Sequence, residues 1–124
     1  MAASQPSTPH RTVTPRIFVD DPEKVVTFLR EVLDATAEME PGRPTAVHIG
    51  DCVVLVGSTA ERGRFPAFLY VYVEDADAAH QRAMQAGATS IEEPLDTPYG
   101  DRRAMFSDTF GNIYQVAHHH DSDG

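Results

Sequence analysis

The chain has 124 residues, 41% hydrophobic and 23% charged, with a formal net charge of −9 at pH 7. That length fits one domain, and no apolar run approaches the roughly 18 residues that a membrane-spanning helix needs. The negative charge repels phosphate backbones and anionic lipid surfaces, which argues against nucleic acid or a membrane as partner, and the single cysteine, Cys52, excludes an internal disulfide and a multi-cysteine zinc site.

Residues 1–12 are mostly polar and contain two prolines. They lack the apolar stretch of about 7 to 15 residues of a secretory signal, so a frayed tail and a cytoplasmic location are expected. Residues 14–19 read as a strand. Pro22–Leu33 reads as a helix because Val25, Val26, Leu29, Val32 and Leu33 recur at helical spacing. Asp20 or Asp21 can cap it, with Pro22 at its first position. Short strands follow at 35–40, Thr45–Ile49 and 52–57, the last two joined by Gly50-Asp51, a pair suited to a tight hairpin. Cys52 opens the last of them and reads as a buried, inert thiol, with a reactive thiol as the alternative.

The second half repeats the order, with a strand at 68–73, a helix at 75–86 closed by Gly87, and strands at 89–92, 103–107 and 112–117. Both halves read βαβββ. Short matches point to an internal duplication: Val19-Asp20-Asp21 with Val73-Glu74-Asp75, Asp34-Ala35-Thr36 with Gly87-Ala88-Thr89, and Gly50-Asp51 with Gly111-Asn112. His118, His119 and His120 lead into a polar end, so residues 118–124 are expected to form a second tail. The fold class is α+β, one domain over 13–117 with modules at about 14–57 and 68–117.

Phe68-Leu69-Tyr70-Val71-Tyr72-Val73 alternates with period two. Leu69, Val71 and Val73 suit packing under helices, whereas Phe68, Tyr70 and Tyr72 suit the wall of a cavity that holds an organic ligand. An ordinary core or a dimer interface is the alternative for that aromatic face. In the first strand Ile17 and Val19 supply the apolar side, leaving Thr14, Arg16 and Phe18 on the other. Arg16 leads the polar candidates, since a guanidinium can hold a carboxylate or phosphate by two parallel hydrogen bonds; a salt bridge to an acidic residue is its alternative.

In this order the pattern resembles the vicinal oxygen chelate superfamily of glyoxalases, bleomycin-resistance proteins and extradiol dioxygenases, and within it the small members that lack a metal. The resemblance spans residues 14–117. It rests on Tyr70-Val71-Tyr72-Val73-Glu74-Asp75-Ala76-Asp77-Ala78, Ala86-Gly87-Ala88-Thr89, Tyr99-Gly100-Asp101-Arg102 and Asp108-Thr109-Phe110-Gly111-Asn112. It implies two βαβββ modules forming a curved mixed sheet around a cavity, and a homodimer. Metal-dependent relatives place His, Gln or Glu on four cavity strands, at positions that match Thr14, Val54, Phe68 and Gln115 here. Only Gln115 is a residue type that the family uses as a ligand, and a divalent ion needs several N, O or S donors. No metal and no cofactor are therefore expected, and Gln115 is left to hydrogen-bond a ligand. Arg102 matches the arginine of the family's Gly-Asp-Arg piece and is expected at the pocket mouth, with a structural ion pair as the alternative. A two-residue turn at Gly50-Asp51 puts His48 opposite Val53, on the side away from Val54 and hence away from the site.

The expected ligand-binding residues are Arg16, Phe18, Phe68, Tyr70, Tyr72, Arg102 and Gln115, with no metal ligand and no residue assigned to catalysis. The expected function is metal-independent binding of a small aromatic or cationic molecule. Two alternatives stand beside it. One is a metal-independent isomerase, lyase or cyclase in which Arg16, Tyr70 or Gln115 positions and polarises a substrate. The other is a structural or regulatory dimer whose cavity is filled by its own side chains.

Overall fold

The computed structural model describes residues 13–39 and 43–119. The tails expected at 1–12 and beyond 119 lie outside these residues. Chain order is β1 (Arg16–Val19), α1 (Pro22–Leu33), β2 (Thr36–Glu38), β3 (Thr45–Ile49), β4 (Cys52–Ser58), α2 (Thr59–Arg62), β5 (Phe68–Tyr72), α3 (Ala76–Gln85), β6 (Thr89–Asp96), β7 (Asp101–Ser107) and β8 (Ile113–His119). Both halves are βαβββ, and α2 is a single turn that connects them.

The strands form two four-stranded sheets, β1-β4-β3-β2 and β5-β8-β7-β6. In each, the first and fourth strands of the module run parallel and the other pairs antiparallel. The identical order supports the duplication read from the sequence. The mixed sheet is divided between the modules, since β1 and β5 both end their sheets as edge strands.

Among the strand ends that differ from the spacing, three have a clear local reason. β1 begins at Arg16 because Pro15 lacks an N–H, although its carbonyl still accepts from Leu55 N at 3.0 Å. β6 continues past Glu92 to Asp96 despite Pro94, because it is an edge strand with register shifts between Ser90 and Leu95 that accommodate the proline. β8 runs on through His118 and His119, which corrects their reading as tail. His118 Nδ1 accepts the Ala76 backbone N–H at 2.8 Å, at the start of α3, and His119 pairs with Asp101.

Helix α1 starts where Asp21 accepts a hydrogen bond from Lys24 N, with Pro22 in the first turn. Its buried stripe holds Phe28 as well as the valines and leucines. Phe28 reaches across to the second sheet, its ring centroid 5.6 Å from that of Tyr114 and 6.2 Å from that of Phe106. Helix α3 buries the small residues Ala76, Ala79 and Ala83 together with His80, whose ring meets Phe106 edge-on, and packs against both α1 and β7. Arg82 of α3 donates twice, from Nε and Nη2, to the Val32 carbonyl at 3.3 and 3.0 Å. It thereby satisfies an acceptor in the last turn of α1 that the helix leaves unpaired. The result is one core shared by both modules, with Ile17, Val19, Val47 and Val56 from the first sheet and Ala104, Phe106, Tyr114 and Val116 from the second.

Cys52 is exposed, which corrects its reading as a buried thiol. It pairs with Ile49 immediately after the hairpin turn, at the end of the sheet. Among the described residues no helix is long and apolar enough to cross a membrane.

The two modules end their first helices differently. Gly87 follows α3 at φ 96°, whereas Asp34, its counterpart after α1, holds φ 57°. An L side chain in the left-handed region and a carboxylate at the negative end of a helix both oppose folding. Asp34→Gly is expected to raise stability by about 0.5–1 kcal/mol, seen as a higher midpoint of urea unfolding with an unchanged slope.

Candidate functional site

Alternation divides each sheet into a helix-covered face and an open one. On the second sheet, Ala104, Phe106, Tyr114 and Val116 are buried beneath α1 and α3. The opposite face carries the side chains that register aligns into rows. Tyr70 stands beside Gln115, then Met105, then Glu92; Tyr72 beside Ala117, then Arg103, then Leu95; Phe68 beside Ile113, then Ser107. Phe68 is 59% exposed, Tyr70 43% and Tyr72 61%. The Tyr70 and Tyr72 rings lie 5.4 Å apart, and the His119 ring lies 5.3 Å from Tyr72.

The charged groups on this face are mutually engaged. Arg103 donates from Nε and Nη2 to the two Glu92 carboxylate oxygens at 2.8 and 3.1 Å, and from Nη1 to the Tyr99 hydroxyl at 3.0 Å. Asp101 is buried and paired with His119. Burial raises the pKa of the Tyr70 hydroxyl above its ordinary value; Tyr72, Tyr99 and Asp101 push the same way and Arg103 opposes them. Tyr70 therefore keeps its proton at neutral pH and can donate it in a hydrogen bond.

On the first sheet, Ile17, Val19, Val47, Val54 and Val56 are buried, and Arg16 and Phe18 occupy the opposite face. The Arg16 guanidinium sits 4.5 Å from the centroid of the Phe18 ring, which meets Phe65 edge-on at 6.1 Å. Val54 pairs with Val47 and is 4% exposed, so the position matched to a family metal ligand points into the core. The hairpin forms as its sequence predicts, with His48 opposite Val53. The side of His48 is nevertheless reversed. Because Val54 faces the core, the face away from Val54 is the one that carries Arg16, and His48 stands on it.

The expected site residues thus fall into three groups. Phe68, Tyr70, Tyr72 and Gln115 share the open face of the second sheet, and Arg16 and Phe18 share that of the first. Arg102 lies on the opposite, helix-covered face, which corrects its expected place at the pocket mouth. It donates from Nε and Nη2 to Asp77 of α3 at 2.8 and 3.0 Å and from Nη1 to Asp96 at 3.2 Å. That guanidinium holds the Asp77 carboxyl below its ordinary pKa. Its neighbour Arg103 is the arginine of the aromatic face, and the period of Arg103-Ala104-Met105-Phe106, with Ala104 and Phe106 apolar, carries the signal for it.

Between the modules, the β3–β4 hairpin and the edge of β5 line a cleft of about 1030 Å³. Thr36, His48 and Cys52 lie on its first-module side and Tyr70, Tyr72 and Glu74 on the other.

The sequence model of the Glyoxalase/Bleomycin resistance protein/Dioxygenase superfamily matches residues 9–116. An uncharacterized protein of Mycobacterium bovis is 27% identical, over 84% of this chain and 80% of its own length, and one of Mycobacterium tuberculosis is equally identical over 84% and 72%. Among solved structures, TioX from Micromonospora sp. ML1 superposes with a TM-score of 0.77 at 23% identity, covering 89% of this chain and 99% of that one. A superfamily member from Sphaerobacter thermophilus gives 0.69 at 25% identity, over 88% and 97%. Of the four positions matched to the superfamily's metal ligands, Val54 and Phe68 carry no donor atom, and Val54 is turned into the core. Among the described residues no group of three or more His, Cys, Asp or Glu side chains could hold a metal ion.

Proposed function

The chain belongs to the Glyoxalase/Bleomycin resistance protein/Dioxygenase superfamily, and on that footing we propose that it binds a small aromatic or cationic molecule without a metal. The observation that carries this reading is the row Phe68, Tyr70 and Tyr72, three large rings left 43–61% exposed on one sheet face. Removing such surface from water is worth about 25 cal/mol per Å², so a flat organic molecule laid across the rings gains from burial. Ring faces also attract cations, and the net charge of −9 attracts them at longer range. Gln115, beside Tyr70, supplies a donor and an acceptor to orient the molecule.

A homodimer forms part of the proposal. The family resemblance implies that pairing. The adjacency of Tyr70 and Gln115 favours one further reading, in which they polarise a bound substrate and the protein is an isomerase, lyase or cyclase; turnover of a bound compound distinguishes it from simple binding.

Native mass spectrometry of the purified protein, with and without added Zn, Ni, Mn or Fe, tests the proposal. A dimer mass with a co-purified organic adduct and no stoichiometric metal is the expected result. One tightly held metal ion per chain would overturn the metal-free reading.

A further inference from the structure

His48 has no role in the binding surface as described so far, yet its surroundings are those of an oriented hydrogen-bonding group. Its Nε2 is buried and has no hydrogen-bond partner. Glu38 Oε1 lies 3.9 Å away, beyond hydrogen-bond range, on a side chain that is 69% exposed. Val53, its neighbour on β4, offers no polar side-chain atom, and Thr36 flanks it on β2. The imidazole side chain is itself 24% exposed and lines the cleft that Tyr70 and Tyr72 line from the other module. A buried polar atom without a partner in a folded protein needs a physical account.

We propose that His48, oriented by Glu38, is the hydrogen-bond acceptor of the ligand site, and that the ligand is an aromatic molecule bearing an O–H or N–H donor. The inference rests on the reading of Tyr70 and Tyr72 as a ligand wall. A carboxylate only accepts, so the nearby Glu38 favours the proton on Nε2, and a rotation of this exposed side chain closes the remaining gap. Nδ1 then keeps its lone pair. The imidazole and the tyrosines line one cleft, so a molecule stacked on the rings that carries a donor can satisfy that lone pair, while a molecule of the same shape without one leaves it unmatched. Discrimination follows from that difference rather than from the apolar contact, which both molecules make equally.

Two measurements on the full chain decide the matter. Heteronuclear NMR of the histidine rings is expected to show His48 as the Nε2–H tautomer, and as a mixture in Glu38→Ala; an Nδ1–H tautomer in the unaltered protein overturns the proposal. The second uses naphthol and its methyl ether as probes. The protein is expected to bind naphthol about tenfold more tightly than the ether, and His48→Phe to bind the two alike with its affinity for the ether retained. Equal binding by the unaltered protein, or a preference that survives His48→Phe, removes His48 from the site while leaving the aromatic wall intact. Binding of neither compound overturns both readings together.

Discussion

Asp108→Ala is expected to destabilise the protein by about 3 kcal/mol or more, because several buried donors lose one shared acceptor at once. Asp108 is buried between β7 and β8 and accepts four hydrogen bonds: from Phe110 N at 2.8 Å, Asn112 N at 3.0 Å, Asn112 Nδ2 at 2.9 Å and the Tyr114 hydroxyl at 2.7 Å. Asn112 in turn accepts from Ala67 N at 2.9 Å through Oδ1, which ties this turn to the chain entering β5. Alanine would leave the Tyr114 hydroxyl and the Asn112 amide unmatched in the core. Tyr114→Phe removes one donor together with its need for a partner and should be milder, about 1 kcal/mol. Equilibrium urea unfolding of both variants checks the ranking, and equal losses would contradict the network.

The same contact fixes a pH dependence. Burial first, and then the Asp108 carboxylate, raise the Tyr114 hydroxyl well above its ordinary 10.0. A group whose folded pKa is raised contributes stability that is fully present below its unfolded value and is lost as pH rises through the folded one. Stability should therefore fall above about pH 10, where unfolded Tyr114 ionises and the folded hydroxyl cannot. Tyr114→Phe should flatten that alkaline limb; an unaltered limb would assign it to other groups.

Tyr72→Ala should weaken binding of a planar aromatic probe such as the methyl ether of naphthol by about tenfold or more. Tyr72 is 61% exposed and touches two rings, Tyr70 and His119, within the wall. Its truncation therefore removes contact area from the probe while leaving the core untouched, and the urea midpoint should stay nearly constant. Tyr72→Phe keeps the ring and should keep most of the affinity. Arg102→Ala is the matched control, since Arg102 lies on the far face of the sheet, bound to Asp77 and Asp96. Titration by tyrosine fluorescence reads all three variants. Loss of affinity in Arg102→Ala but not in Tyr72→Ala would place the ligand elsewhere.

The element order was legible in the sequence because it depends on local periodicity and local turn chemistry. The valine and leucine spacing of Pro22–Leu33, the Gly50-Asp51 hairpin and Gly87 after α3 each act within a few residues, and each element lies where its signal stands. The grouping of Phe68, Tyr70 and Tyr72 on one face follows from period two alone. Which face of a strand is open does not. It is fixed by where α1 and α3 dock, an interaction between residues far apart in the chain. Val54 and His48 show the consequence, since their relative sides follow from the hairpin register while their absolute sides follow from the packing of α1 on Val47 and Val56. Arg102 and Arg103 divide in the same way: adjacent residues must point oppositely, and Arg102, in phase with the buried Ala104 and Phe106, finds Asp77 of α3 under the helix while Arg103 is left among the tyrosines.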